Sequence, residues 1–98
     1  MLIRIVRMTF KPEEVEAFLA VFEGAKEKIR AVEGCCYLEL WRDADQPNIL
    51  MTHSHWENAD ALEAYRHSDL FKSTWAKTKP LFADRPQAFS AISEIKLP

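Results

Sequence analysis

Apolar residues in this chain recur with two different periods. The order in which those periods alternate restricts the fold more than any other feature. Residues 2–10, LIRIVRMTF, are rich in β-branched and apolar types and read as a strand. Ile3, Ile5, Arg7 and Thr9 share one face; Leu2, Arg4, Val6, Met8 and Phe10 share the other. Both faces carry apolar groups, so both should be at least partly covered. Lys11-Pro12-Glu13-Glu14 then opens a helix, because proline suits a first turn and acids complement the N-terminal dipole. Val15, Phe18, Leu19, Phe22, Ala25, Ile29 and Val32 follow at helical spacing, and Gly34 supplies the stop. Gly24 lies mid-helix, where it costs about 1 kcal/mol against alanine. Close packing against a neighbour, or room for a ligand beside Phe22, would offset that cost.

Residues 35–42, CCYLELWR, return to strand character. Asp43-Ala44-Asp45-Gln46-Pro47-Asn48 is turn chemistry, and residues 49–56, ILMTHSHW, form a third strand paired with the second. Asn58 is an N-cap for a helix from Ala59 that carries Ala61, Leu62 and Tyr65. Ser68-Asp69 marks a fresh start, so the helix should break near His67. A second segment then carries Leu70, Phe71, Trp75 and Thr78 until Pro80 limits it. Residues 87–96, QAFSAISEIK, complete the pattern as the last strand.

The order β-α-β-β-α-β is that of a ferredoxin-like α+β domain: one antiparallel four-stranded sheet with its helices on one face. With 98 residues and no linkers or repeats, a single domain over 1–98 is expected. Hydrophobic residues make up 48%, including three Trp and six Phe, a generous supply for so short a chain. That supply suits an aromatic cavity or a surface shared with a second copy. A bare apolar sheet face is costly in water, so a homodimer is expected. Thirteen basic and 15 acidic residues are mixed along the chain, leaving neither a stripe for nucleic acid nor a polybasic patch for a membrane. The arginines within MLIRIVRMTF mark it as a strand rather than a signal peptide. The adjacent Cys35 and Cys36 read as reduced thiols, which implies a cytoplasmic setting.

The stretch Glu33-Gly34-Cys35, the strand-ending Trp56, Ala61-Leu62-Glu63-Ala64-Tyr65-Arg66 and Ser68-Asp69-Leu70-Phe71 resemble the antibiotic biosynthesis monooxygenase family over nearly the whole chain. The resemblance implies a dimeric α+β barrel. It also implies one of several activities: cofactor-free monooxygenation of phenols and quinols, haem degradation, isomerisation, or binding without catalysis. In the haem-degrading branch a His on the last helical segment binds iron, while an Asn on the first strand and the Trp flank the ring. Here the ligand position falls at or beside Trp75 and the Asn position near Arg7; only Trp56 matches.

The candidate site residues follow. Along THSHW, His53 and His55 share one face, and Thr52, Ser54 and Trp56 the other. With Trp56 toward the helices, the histidines face the dimer side, as interface groups or with His55 as a base. A His-x-His metal site needs a third ligand that the sequence does not supply, so no metal is expected, and the cofactor-free oxidation that the resemblance implies calls for no other cofactor. His67, at the expected helix break, is a second candidate base. Arg7 would steady an anionic intermediate, or pair with Glu39 or Glu94 across the sheet. Trp56, Trp75, Phe22 and Phe71 would wall a pocket, with the Ser54 and Thr52 hydroxyls orienting a phenolic guest.

Overall fold

The computed structural model describes residues Met1–Pro98. The elements are β1 (Leu2–Thr9), α1 (Val15–Arg30), β2 (Cys35–Arg42), β3 (Ile49–Trp56), α2 (Ala59–Arg66), α3 (Asp69–Thr78) and β4 (Gln87–Ala91). All strand pairs are antiparallel, in the order β2-β3-β1-β4. This is the ferredoxin-like α+β arrangement. No helix is long and apolar enough to cross a membrane.

Local chemistry explains the helix boundaries. Asn58 Oδ1 accepts the Ala61 N–H at 2.8 Å and starts α2. Ser68 ends one helix and starts the next: its hydroxyl donates to the Tyr65 carbonyl at 2.6 Å and accepts the Phe71 N–H at 3.1 Å. The break at His67 is therefore built by Ser68, and the expected second helix is two helices.

Three expectations need correction. The last strand stops at Ala91, not residue 96. Ala91 pairs with Ile3 near the start of β1, so little backbone remains beyond it to extend the ladder. Ile92, Ile95 and Leu97 follow as exposed side chains. Gly34 does not end α1, which closes at Arg30; it turns the chain into β2 with φ of 87°, and a Cβ there would strike Ala61. Gly24 has no close neighbour, since nothing lies within 4 Å of where its Cβ would stand.

The core lies on the helix side of the sheet, in two parts. Met8, Phe10, Val15, Phe18 and Leu50 form one cluster; Cys35, Trp56 and Leu62 form the other. Only 13 of the 98 residues are buried. So thin a core leaves much apolar surface for something else to cover, inside and out.

Candidate functional site

Strand alternation selects what faces the helices. Arg4, Val6 and Met8 of β1, Leu38 of β2, and Thr52, Ser54 and Trp56 of β3 point into one cavity of about 300 Å³. That lies at the low end of the ~300–1,000 Å³ typical of small-molecule sites. Phe18, Phe22 and Ile29 of α1 roof one side; Leu62, Tyr65 and Arg66 of α2 and Phe71, Thr74, Trp75 and Thr78 of α3 roof the other. The cavity takes walls from both core clusters, which is why neither merges with the other.

Aromatic contacts run almost continuously around it. Trp56 stacks on Tyr65 with centroids 5.0 Å apart, Tyr65 meets Phe71 edge-on at 5.3 Å, and Phe71 stacks on Trp75 at 5.8 Å. Trp75 reaches Phe82 at 5.5 Å, which leads through Phe10 and Phe18 to Phe22. Interlocked rings hold a hollow open because each is fixed by its neighbour rather than by what fills the space.

The polar groups within this wall are few. The buried Trp56 indole N–H donates to Ser54 Oγ at 3.0 Å, so Ser54 retains its own hydrogen for a guest. Burial pushes the Tyr65 phenol up to about 12, with nearby Cys35 adding to the effect, so it remains a neutral donor. Arg4 donates from Nη1 to Ser90 Oγ at 3.1 Å and takes part in none of the four ion pairs. Burial lowers its pKa first, Arg66 lowers it further, and Glu63 opposes both. Arg66 pairs with Glu63 at 3.2 Å. No histidine, cysteine or carboxylate lines the cavity.

The six expected wall and hydroxyl residues, Trp56, Trp75, Phe22, Phe71, Ser54 and Thr52, all line this one cavity. The three expected to act on the substrate do not. Arg7 lies on the opposite face of β1 and makes neither of its expected ion pairs. His55 lies on the opposite face of β3, its Nε2 2.9 Å from that of His53, so one ring donates and the other accepts. His67 is 73% exposed at its side chain and bound to Glu63 at 2.8 Å. Arg4, Arg66 and Tyr65 were not singled out from the sequence. The signal for Arg4 was its place in the same alternation as Met8 and Phe10, which are core residues.

The open face of the sheet carries a different cluster. Tyr37, Trp41, His53 and His55 pack ring on ring, 4.6–5.2 Å between centroids. The Trp41 indole N–H donates to Glu39 and holds that carboxyl below its ordinary value, against an opposing effect of burial. His53 Nδ1 is buried without a hydrogen bond, 3.5 Å from Glu39.

The model of the family described as "Antibiotic biosynthesis monooxygenase" matches residues 1–77. The chain belongs to this family. The family match spans β1 through most of α3, and so all of the cavity except the edge supplied by Thr78, Pro86 and Ala88. Among solved structures, an antibiotic biosynthesis monooxygenase superposes with a TM-score of 0.89 at 19% identity, covering 95% of this chain and 98% of that one. A conserved protein from Methanosarcina mazei Go1 superposes at 0.87 with 23% identity, covering 93% and 91%. At such identities both show a shared fold. A Natronomonas pharaonis protein, provisionally named as haem-binding, is 28% identical over 79 residues. That match takes in 81% of this chain, which spans 13% of the length of the relative.

Proposed function

We propose that this member of the antibiotic biosynthesis monooxygenase family oxidises a phenolic or quinol-like small molecule with dioxygen, using neither metal nor organic cofactor. One observation carries the reading: an aromatic-walled cavity whose only formal charges are two guanidiniums. Dioxygen is a triplet and reacts slowly with closed-shell molecules, but a phenolate can give it one electron directly. The aryloxyl radical and superoxide then combine at a ring carbon, and the hydroperoxide expels water to leave a quinone. One oxygen atom enters the ring. The other departs as water, with its hydrogens from the phenolic O–H and the ring C–H, so no outside reductant is required.

The chain's own residues would contribute positioning and field. The rings exclude water and hold the guest flat. Ser54 and Thr52 orient its oxygen, and the Arg4 charge, acting through space from the β4 side of the cavity, favours the anion over the neutral phenol. With no base in the lining, the proton leaves through the mouth to solvent; neither His55 nor His67 lines the cavity. Oxygen uptake with hydroquinones and hydroxynaphthalenes, in chelator-treated buffer, tests this. Consumption should exceed the spontaneous rate and fall at least ~10-fold in Arg4→Gln, the scale of one lost charge-assisted contact. Uptake no faster than the blank overturns it.

Haem, suggested by the name of the Natronomonas relative, does not fit the donors present. The cavity offers guanidinium, hydroxyl and phenol groups and one buried thioether, Met8, but no imidazole or thiolate. Hemin should therefore produce no sharp Soret shift on titration.

We further propose that two copies cover each other's open sheet face. The thin core supports this, as do Tyr37 and Trp41, each 38% exposed, and Phe89, 53% exposed on β4. Sedimentation at micromolar concentration should find a dimer; a monomer removes the proposal. Two unpaired cysteines support a reducing, cytoplasmic setting.

A further inference from the structure

The charge at the cavity mouth exceeds what binding a neutral phenol requires. Arg4 pairs with Ser54 across β1 and β3 and with Ser90 across β1 and β4. Its guanidinium leans to the Ser90 side and bonds that hydroxyl, so the charge lies over the β4 edge, away from the Trp56–Ser54 wall. Burial disfavours the Arg4 charge, and Arg66, which lines the same cavity from the last turn of α2, disfavours it further. The one nearby carboxylate, Glu63, is taken by Arg66 at 3.2 Å and by His67 at 2.8 Å. Arg4 thus stays partly desolvated beside a like charge, with no counter-ion and four of its five N–H donors uncommitted. A guanidinium kept in this state is stabilised when an anion arrives and bridges the two forks.

Deepening the oxidation reading, and resting on it for the cavity's role, we propose that the substrate is a hydroxyarene carboxylate. Its ring lies among Trp56, Tyr65, Phe71 and Trp75, and its carboxylate sits between Arg4 and Arg66. Its second charge is permanent at neutral pH and does not depend on the phenol ionising. The opposite ends of the cavity divide the work: hydroxyls at the Trp56 wall receive the oxidisable oxygen, guanidiniums at the mouth hold the tail. A flat molecule of about two rings matches a volume of about 300 Å³.

The test is a matched pair of ligands under anaerobic conditions, where no turnover intervenes: 1-hydroxy-2-naphthoate and its neutral carboxamide, followed by tryptophan fluorescence. The carboxylate should bind about tenfold more tightly, with the preference shrinking as salt rises. Arg4→Gln should abolish the preference and Arg66→Gln reduce it, while Arg42→Gln, outside the cavity, leaves it intact. Arg66 is a surface side chain, so its variant folds even where Arg4→Gln does not. Equal binding of acid and amide, binding of neither, or a preference that survives Arg66→Gln undiminished would each overturn the proposal. Oxygen uptake separates the two readings. Neutral naphthols oxidised as well as the acid would leave the oxidation standing and remove the carboxylate seat. An acid bound selectively but never oxidised would do the reverse.

Discussion

The two faces of the one sheet use the same kinds of side chain to opposite ends. Under the helices, Trp56, Tyr65, Phe71 and Trp75 pack around empty space, with arginines and hydroxyls as the only polar groups. On the open face, Tyr37, Trp41, His53 and His55 pack against each other with Glu39 among them, and none of them lines the cavity. Every histidine of the strand pair falls on the face without a cavity. Aromatic content alone therefore does not mark a site; what matters is whether the packed rings enclose a void, and which charges accompany them.

Several measurements would sharpen or break this contrast. The largest effect should come from Trp56, 1% exposed and hydrogen-bonded to Ser54. Trp56→Ala should cost about 3–5 kcal/mol in urea unfolding. The same truncation at the half-exposed Trp41 should cost well under half as much per folded chain and act mainly on dimer formation, read by sedimentation. Equal costs at the two tryptophans would erase the distinction between the faces.

The faces should also titrate at opposite ends of the pH scale. Tyr65 has a folded pKa of about 12, above its ordinary value of 10.0. The folded state therefore holds its proton longer than the unfolded chain. Stability should decline between those two values by about 2–3 kcal/mol, at 1.36 kcal/mol per unit. Tyr65→Phe should remove that decline. On the open face burial is the first cause, and His53 the second, of a His55 pKa below its ordinary 6.5. The unfolded chain then takes up this proton first, so stability should fall as pH drops below 6.5, and His55→Gln should flatten that acid limb. An acid limb unchanged in His55→Gln would show that the His53–His55 contact does not govern it.

The smallest effect lies on a third surface, the open groove between α1 and α3 that Gly24 lines. Because nothing meets a Cβ at Gly24, Gly24→Ala should raise stability by up to about 1 kcal/mol, visible as a higher melting temperature. A loss instead would mean that something covers this face in the assembled protein.

Much of this was legible from one strand. The period-two alternation of THSHW separates Trp56, Ser54 and Thr52 from His53 and His55, and the ladder honours that division. The same rule applied to β1 puts Arg4, not Arg7, beside Met8 and Phe10. Arg7 drew attention by its nearness to a family position, yet parity sends it to the other face. The chemistry of His67 marks it as a base, but its place at the helix break points to solvent, and the turn built by Ser68 leaves it there, bound to Glu63.

The sequence by itself determined the element order, the helix break and the side of the sheet each residue takes, because these depend on backbone geometry and neighbours a few positions away. Only the tertiary structure decided that two small cores stay apart to leave a cavity, and that Arg4 and Arg66 both line it without a free carboxylate. It also decided that β4 ends at Ala91. Each depends on groups far apart in the chain arriving together in space, and on how much partner backbone or side-chain volume meets them there.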